Sequence, residues 1–224
     1  MSRTRIKICG VRRVDDALLA ARAGADAVGL VLHPPARRNV ALETARDILA
    51  ALPPFVTPVG LFVDASLPHV LATARDLSLR HVQLNGHETP EFVANLPTLR
   101  VIKAIRVDPG RFLETLDVWR AAMQRIDLRH LCGLVLEPAN TGTAGGSGVA
   151  NDWATVAKAK DEGAFAGLPP IIAAGGLTPE NVGDVIRTLR PYAVDVSSGV
   201  EAGVVGEKSA AQIEAFVQAV RSAE

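Results

Sequence analysis

The chain has 224 residues, with 24 Lys and Arg against 24 Asp and Glu, so its formal net charge is zero. A neutral chain of this length gives no electrostatic reason to expect nucleic acid or an acidic membrane as a partner, and it favours one domain, 1–224, over two. Its two cysteines argue against a disulfide scaffold and indicate a reducing cytoplasm, and no apolar run is long enough to span a bilayer.

Short apolar runs alternate with helical patterns along the whole chain. The runs predict eight strands, at residues 5–9, 27–32, 57–63, 81–84, 100–105, 132–136, 170–173 and 193–196. Because these runs are almost continuously apolar rather than alternating, they are typical of parallel strands that helices cover.

A helix is predicted after every strand. For five of these helices, apolar periodicity predicts both the first and the last residue, at 14–23, 42–52, 68–77, 179–189 and 209–222. The other three are predicted from capping residues, at Thr89-Pro90, at Asp108-Pro109 with an end towards Gln124, and at Asn151-Asp152 with an end near Gly163. The helix at 179–189 carries the same signature, with Thr178 as the cap, Pro179 at the first position and Glu180 in the first turn.

Eight strand–helix units predict a single (β/α)₈ barrel of the TIM type. The alternative is an open doubly wound sheet, which usually carries G-x-G-x-x-G in its first strand–helix turn. Here that turn reads Cys9-Gly10-Val11-Arg12, and the motif occurs nowhere in the chain. Its absence does not exclude an open sheet, but eight evenly spaced units favour closure.

Small residues end the last two strands, as Gly175-Gly176 and as Ser197-Ser198-Gly199. Such residues let an anion approach the backbone N–H groups, and a helix that follows adds a favourable dipole. In a barrel, the loops after strands 7 and 8 form the usual phosphate site. The sequence therefore predicts phosphate binding by these two loops.

In a barrel, chemistry takes place at the C-terminal ends of the strands. The side chains predicted near those ends are Cys9, His33, Arg37, Arg38, Asp64, Gln83, His87, Lys103, Arg106 and Glu137. Cys9 is either an inert small hydrophobe or a reactive thiol, and Glu137 either takes part in chemistry or caps a helix or pairs with an arginine. The histidines lack metal-ligand spacing, so no metal site is predicted. The Gly-rich loop at 142–148 is either a flexible connection or a lid over the site.

Six short motifs, in the same order along the chain, carry a resemblance to a known family. They are KICG at 7–10, GAD at 24–26, VQLNG at 82–86, GGSG at 145–148, AGGL at 174–177 and VDVSSGVE at 194–201. The chain resembles the phosphoribosylanthranilate isomerase family of tryptophan biosynthesis. This resemblance implies a cofactor-free and metal-free Amadori rearrangement of N-(5-phosphoribosyl)anthranilate to 1-(2-carboxyphenylamino)-1-deoxyribulose 5-phosphate.

The resemblance also implies roles for individual residues. Cys9 would be the general base and Glu137 the general acid. Arg38 would bind the anthranilate carboxylate, and Gln83 and Asp195 would line the sugar. Gly175, Gly176, Ser198 and Gly199 would hold the phosphate through backbone groups. Strands 1 and 6 lie three places apart in a ring of eight, so the base and the acid would face each other across the mouth. Strand alternation puts Lys7 on the same face as Cys9.

The sequence departs from the family pattern at three positions. Glu137 stands where the family has Asp, and Asn85 stands where it has His. The segment PPARRNV at 34–40 replaces a lysine–serine–proline–arginine pattern, so Arg37 is an alternative to Arg38 as the carboxylate ligand. These departures leave a phosphosugar-binding paralogue with lost or altered activity as the alternative function. The expected partner is a small phosphosugar, and the assembly is a monomer or a homodimer.

Overall fold

Eight parallel strands close into a barrel in a computed structural model of the chain, which describes residues 3–108, 110–138 and 152–224. The strands are β1 (Arg5–Cys9), β2 (Ala27–Val31), β3 (Thr57–Phe62), β4 (His81–Leu84), β5 (Arg100–Val107), β6 (Leu131–Pro138), β7 (Ile171–Ala174) and β8 (Ala193–Val196). Each strand pairs with its neighbours in chain order, and β1 pairs with β8 to complete the ring. The predicted barrel is therefore confirmed, and the open sheet is excluded.

A helix follows each strand, as predicted. The helices are α1 (Val14–Ala23), α2 (Leu42–Ala51), α3 (Leu67–Asp76), α4 (Pro90–Ala94), α5 (Phe112–Arg125), α6 (Trp153–Asp161), α7 (Val182–Leu189) and α8 (Ala210–Ser222). A short 3₁₀ helix, Ser198–Val200, lies between β8 and α8. No helix in the described part of the chain is both long and apolar enough to cross a bilayer.

Alternation along β1 shows how the strands divide their side chains between two layers. Ile6 and Ile8 are fully buried in the main core, which also contains the apolar faces of the surrounding helices. Lys7 and Cys9 point the other way, into the barrel, where Cys9 packs with Val31 of β2. Successive side chains of a strand point to opposite faces. The apolar core therefore lies between the strands and the helices, and the inward side chains of the barrel can be polar.

The start of α7 was predicted three residues too early. This helix begins at Val182, and Thr178 is not its cap. The Asn181 side chain instead closes a turn, since its Nδ2 donates to the Gly176 carbonyl and its Oδ1 accepts from the Thr178 N–H, both at 2.8 Å. Asn side chains that bond to nearby backbone in this way compete with helix formation. The loop after β7 is consequently longer than its sequence suggests.

Other boundaries also differ from the prediction, and two of these differences bear on the site. Helix α5 begins at Phe112, because the Asp108 carbonyl accepts from the Arg111 and Phe112 N–H groups in a preceding turn. Strand β6 extends to Pro138, so Glu137 lies inside the strand rather than after it. The predicted caps Pro109 and Asn151 and the loop at 142–148 lie outside the described residues.

Candidate active site

A buried ion pair lies inside the barrel between β1 and β8. Lys7 and Asp195 are register partners on these two strands, and the Lys7 Nζ donates to Asp195 Oδ2 at 2.7 Å. Both side chains are almost fully buried. Burial is the largest single effect and would lower the pKa of Lys7, but the charges and hydrogen bonds of Asp195 and Cys9 together raise it. The lumen therefore favours an ammonium group at Lys7.

This ammonium group lies beside the Cys9 thiol. Burial raises the pKa of Cys9, and the charge of Lys7 is the largest effect that opposes it. A hydrogen bond from Lys7 and the charge of Lys208 also favour the thiolate. Cations next to a cysteine stabilise its reactive form. Burial still outweighs these cations, so the pKa of Cys9 lies above its ordinary value and the cations limit that rise.

Glu137 is held on both carboxylate oxygens. Its Oε1 accepts from Asn85 Nδ2 at 3.0 Å, and its Oε2 accepts from Arg106 Nη1 at 2.7 Å. Burial raises the pKa of Glu137, and the charge of Arg106 is the largest effect that opposes it. A carboxyl group whose pKa is raised by burial is suited to donating a proton near neutral pH.

Cys9 and Glu137 face the same lumen. Both lie at the C-terminal ends of their strands, and these strands are three places apart in the ring. The charges of Lys7 and Asp195 act on both groups and shift the pKa of each. The structure thus brings together the thiol and the carboxyl that the sequence singled out.

Two buried acceptor atoms in the lumen have no partner among the described residues. They are Gln83 Oε1 and Asp195 Oδ1. The other ends of these groups are occupied, since Gln83 Nε2 donates to Asn85 Oδ1 at 2.8 Å and Lys7 holds the second oxygen of Asp195. Leaving a buried acceptor unpaired costs about 1–3 kcal/mol. These two atoms are therefore suited to accept hydrogen bonds from the hydroxyl groups of a ligand.

Of the two neighbouring arginines, only Arg38 reaches the mouth of the barrel. Its Nε and Nη2 donate to the two oxygens of Glu201, both at 2.7 Å, while Arg37 is exposed. Gly10 makes room for it, because a Cβ at that position would lie 2.6 Å from Arg38 Cδ. Arg38 is therefore the arginine that Glu201 holds in place, and which of the two arginines binds the carboxylate stays a prediction.

The loops after β7 and β8 touch each other. Gly175 and Gly176 have φ values of 89° and 63°, which side chains rarely allow. A Cβ on Gly199 would overlap the carbonyl oxygen of Leu177, so only glycine permits this approach. With Ser198, these glycines are partly accessible and lie at the same end of the barrel as Cys9, whose carbonyl accepts from Ser197 Oγ at 3.1 Å.

The sequence did not point to two charged residues of this site. Lys208 is buried, and its Nζ donates to the Ser197 carbonyl at 2.8 Å and to Glu201 Oε1 at 3.3 Å. Glu201 ends the VDVSSGVE motif, which was the one available signal for it, whereas no pattern marks Lys208. No group of three His, Cys, Asp or Glu side chains in the described segments is arranged to hold a metal ion.

Comparisons with known proteins agree with this geometry. The sequence model of a family described as N-(5'phosphoribosyl)anthranilate (PRA) isomerase matches residues 6–219. The N-(5'-phosphoribosyl)anthranilate isomerase of Pseudomonas putida (strain F1) is 45% identical over 223 residues, which cover 100% of both chains. The phosphoribosyl anthranilate isomerase of Thermotoga maritima superimposes with a TM-score of 0.84 at 35% identity, covering 98% of this chain and 99% of that one.

A second solved structure was determined with a ligand. It is a phosphoribosyl anthranilate isomerase in complex with reduced 1-(o-carboxyphenylamino)-1-deoxyribulose 5-phosphate. It superimposes with a TM-score of 0.81 at 34% identity, covering 98% of this chain and 99% of that chain. The likeness to these proteins therefore extends over the whole barrel, including both loops at its mouth.

Proposed function

Because the chain belongs to the N-(5'-phosphoribosyl)anthranilate isomerase family, we propose that Cys9 is the general base and Glu137 the general acid of its reaction. The chain is an isomerase of tryptophan biosynthesis that converts N-(5'-phosphoribosyl)anthranilate to 1-(2-carboxyphenylamino)-1-deoxyribulose 5-phosphate. The observation that carries the assignment is the shared lumen of Cys9 and Glu137, in which Lys7 and Asp195 act on both groups.

The reaction begins with opening of the sugar ring. Glu137 gives its proton to the furanose ring oxygen as the bond from that oxygen to C1′ breaks, and the lone pair of the anthranilate nitrogen forms a C=N bond. The buried carboxyl is suited to this step because burial raises its pKa and so favours the protonated form. Its two oxygens accept hydrogen bonds from Asn85 and Arg106.

The second step moves a proton from carbon. The Cys9 thiolate removes the proton on C2′, and the electrons of that C–H bond form an enolamine as the C=N double bond moves. The enolamine then tautomerises to the ketone. Lys7 supports this step because an adjacent ammonium group increases the fraction of thiolate.

The remaining groups of the site bind the substrate. We assign the phosphate to backbone N–H groups of the two loops at the mouth, contributed by Gly175, Gly176, Ser198 and Gly199. Arg38 binds the anthranilate carboxylate, while Glu201 holds the guanidinium in position. The unpaired acceptors of Gln83 and Asp195 receive sugar hydroxyl groups. These contacts fix both ends of the substrate, so that its reacting atoms lie between the base and the acid.

The test of these roles is turnover by matched variants. Conversion of N-(5'-phosphoribosyl)anthranilate is followed by the loss of anthranilate fluorescence, and binding by titration with the reduced product analogue. Cys9→Ser and Glu137→Gln remove the base and the acid with little change in shape. Both variants are expected to bind the analogue and to lose turnover. Near-normal turnover by either variant contradicts its assignment.

We also propose that the chain is one domain, 1–224, that acts in the cytoplasm as a homodimer, one of the two assemblies that its sequence leaves open. Phe55 supports the dimer, because this aromatic residue is fully exposed between α2 and β3 with a φ of 75°. Aromatic side chains contribute much of the apolar area that interfaces bury, so Phe55 is suited to a contact with a second chain. Light scattering after gel filtration measures the mass, and a value for one chain contradicts the homodimer.

A further inference from the structure

Arg106 and Glu137 are register partners on the adjacent strands β5 and β6. The Arg106 side chain is 35% exposed at the mouth, whereas that of Glu137 is 10% exposed. The guanidinium therefore reaches inwards from the rim and donates to Glu137 Oε2, while Asn85, the residue after β4, donates to Oε1. No role in the reaction follows for Arg106 from the family motifs in the sequence.

We propose that Arg106 is a positioning residue for the isomerisation, which aims the Glu137 carboxyl at the ring oxygen and stabilises the carboxylate that remains after proton transfer. This inference rests on the proposed role of Glu137 as the general acid. It assigns a function to the contact at 2.7 Å between Arg106 Nη1 and Glu137 Oε2.

The length of the glutamate arm explains why a positioning residue is needed. Glutamate has one more rotatable bond than aspartate, so an unrestrained carboxyl would occupy several orientations. Contacts to both oxygens select one of them. Misplacement of a catalytic group by about 1 Å costs on the order of 10²-fold in rate.

The same contact becomes stronger as the proton leaves. Before transfer, Arg106 faces a neutral carboxyl group, and afterwards it faces a full negative charge. A fixed donor that gains strength as charge develops lowers the barrier of the step. The proton lost by Glu137 is accounted for on the ring oxygen, and no other reactant is required.

Four side chains act on Glu137, three from strands and one from the residue that follows β4. Arg106 of β5 and Lys7 of β1 lower the pKa of Glu137 by their charges, Asn85 lowers it by a hydrogen bond, and Asp195 of β8 raises it. Burial is the largest effect and raises the pKa. Removal of Arg106 therefore raises the pKa further, and the part of the pH–rate profile that reports Glu137 must move to higher pH.

The test compares kcat/KM against pH for the wild type, Arg106→Met, Arg106→Lys and Arg129→Met. Arg129→Met is the control, because Arg129 also pairs with a carboxylate at 2.7 Å, that of Asp127, but in the exposed turn before β6. Loss of an adjacent opposite charge shifts the pKa of a carboxyl group by about one unit or more. We expect one limb of the pH–rate profile to move to higher pH by about that amount in Arg106→Met, by less in Arg106→Lys, and not at all in Arg129→Met.

Different results would overturn the proposed role of Arg106 and the proposed role of Glu137 on which it depends. If Glu137→Gln is inactive but neither limb moves up in Arg106→Met, Arg106 does not act on the acid, and the inference is overturned while the role of Glu137 stands. If Glu137→Gln keeps near-normal turnover, the acid is assigned wrongly, and both are overturned. Circular dichroism and the thermal midpoint of Arg106→Met establish that the variant is folded.

Discussion

Lys7 and Asp195 form an ion pair in the lumen of the barrel, with the Lys7 Nζ 2.7 Å from Asp195 Oδ2. The pair joins two parts of the site. On one side the ammonium group acts on the Cys9 thiol, and on the other the second oxygen of Asp195 is left without a partner among the described residues. One contact between β1 and β8 thus supports both the base and a substrate-binding acceptor.

Lys7→Met is expected to lower both stability and activity. It leaves the Asp195 charge buried and unpaired, which costs about 3–5 kcal/mol in the free energy of unfolding. It also removes the largest effect that favours the Cys9 thiolate, so the limb of kcat/KM that reports Cys9 moves to higher pH. Urea denaturation and the pH–rate profile measure the two effects. The double variant Lys7→Met/Asp195→Asn should recover part of the stability but not the activity; unchanged stability in Lys7→Met contradicts the ion pair.

Arg38→Met and Arg37→Met distinguish the two possible ligands of the anthranilate carboxylate. A hydrogen bond to a charged group contributes about 1.5–3 kcal/mol, so loss of the Arg38 contact should raise KM by roughly 10- to 100-fold. Arg37 is exposed, and its substitution should leave KM almost unchanged. Steady-state kinetics decide the matter, and the reverse order of effects would assign the carboxylate to Arg37.

Gly199→Ala tests the contact between the two loops at the mouth. The added methyl group overlaps the Leu177 carbonyl, so the loops must separate and the proposed phosphate site must widen. KM should rise while the far-ultraviolet spectrum stays that of a barrel. Gly163→Ala is the control for a methyl group that meets nothing, because no atom lies within 4 Å of a Cβ at Gly163, although its φ of 85° adds backbone strain that Gly199 does not have. A rise in KM for Gly163→Ala as large as that for Gly199→Ala would contradict the loop contact as the cause.

Glu137→Asp introduces the shorter acid that the sequence resemblance implies at this position and is expected to be slower than the wild type. The shorter arm withdraws the carboxyl from Asn85 and from Arg106, which here hold a glutamate. A displacement of roughly 1 Å corresponds to a loss of about 10²-fold in kcat. Stopped-flow fluorescence measures the rate. A faster aspartate variant would show that the site is not built around glutamate.

The strands could be read from the sequence because local composition determines them. A continuous apolar run is buried on both sides in a parallel barrel, whatever its neighbours are. The bounds predicted for β1, β4 and β8 agree with the structure, and the positions of Cys9 and Glu137 at the strand ends follow from barrel topology.

The polar contacts of the site could not be read in the same way. The pairing of Arg106 with Glu137 depends on the register of two strands and on the rotamers of two long side chains, neither of which leaves a local pattern. The buried Lys208 comes from a loop with no periodicity at all. At the start of α7, a side chain competes with the helix signal, since Asn181 bonds to the loop before it.

The roles of Cys9 as general base and Glu137 as general acid are tested most directly by one paired measurement on Cys9→Ser and Glu137→Gln. Single-turnover fluorescence of N-(5'-phosphoribosyl)anthranilate and titration with the reduced product analogue are recorded on the same samples. The account predicts a falling trace for the wild type, flat traces for both variants, and nearly equal affinities for all three proteins. A falling trace at a near wild-type rate from either variant would contradict it.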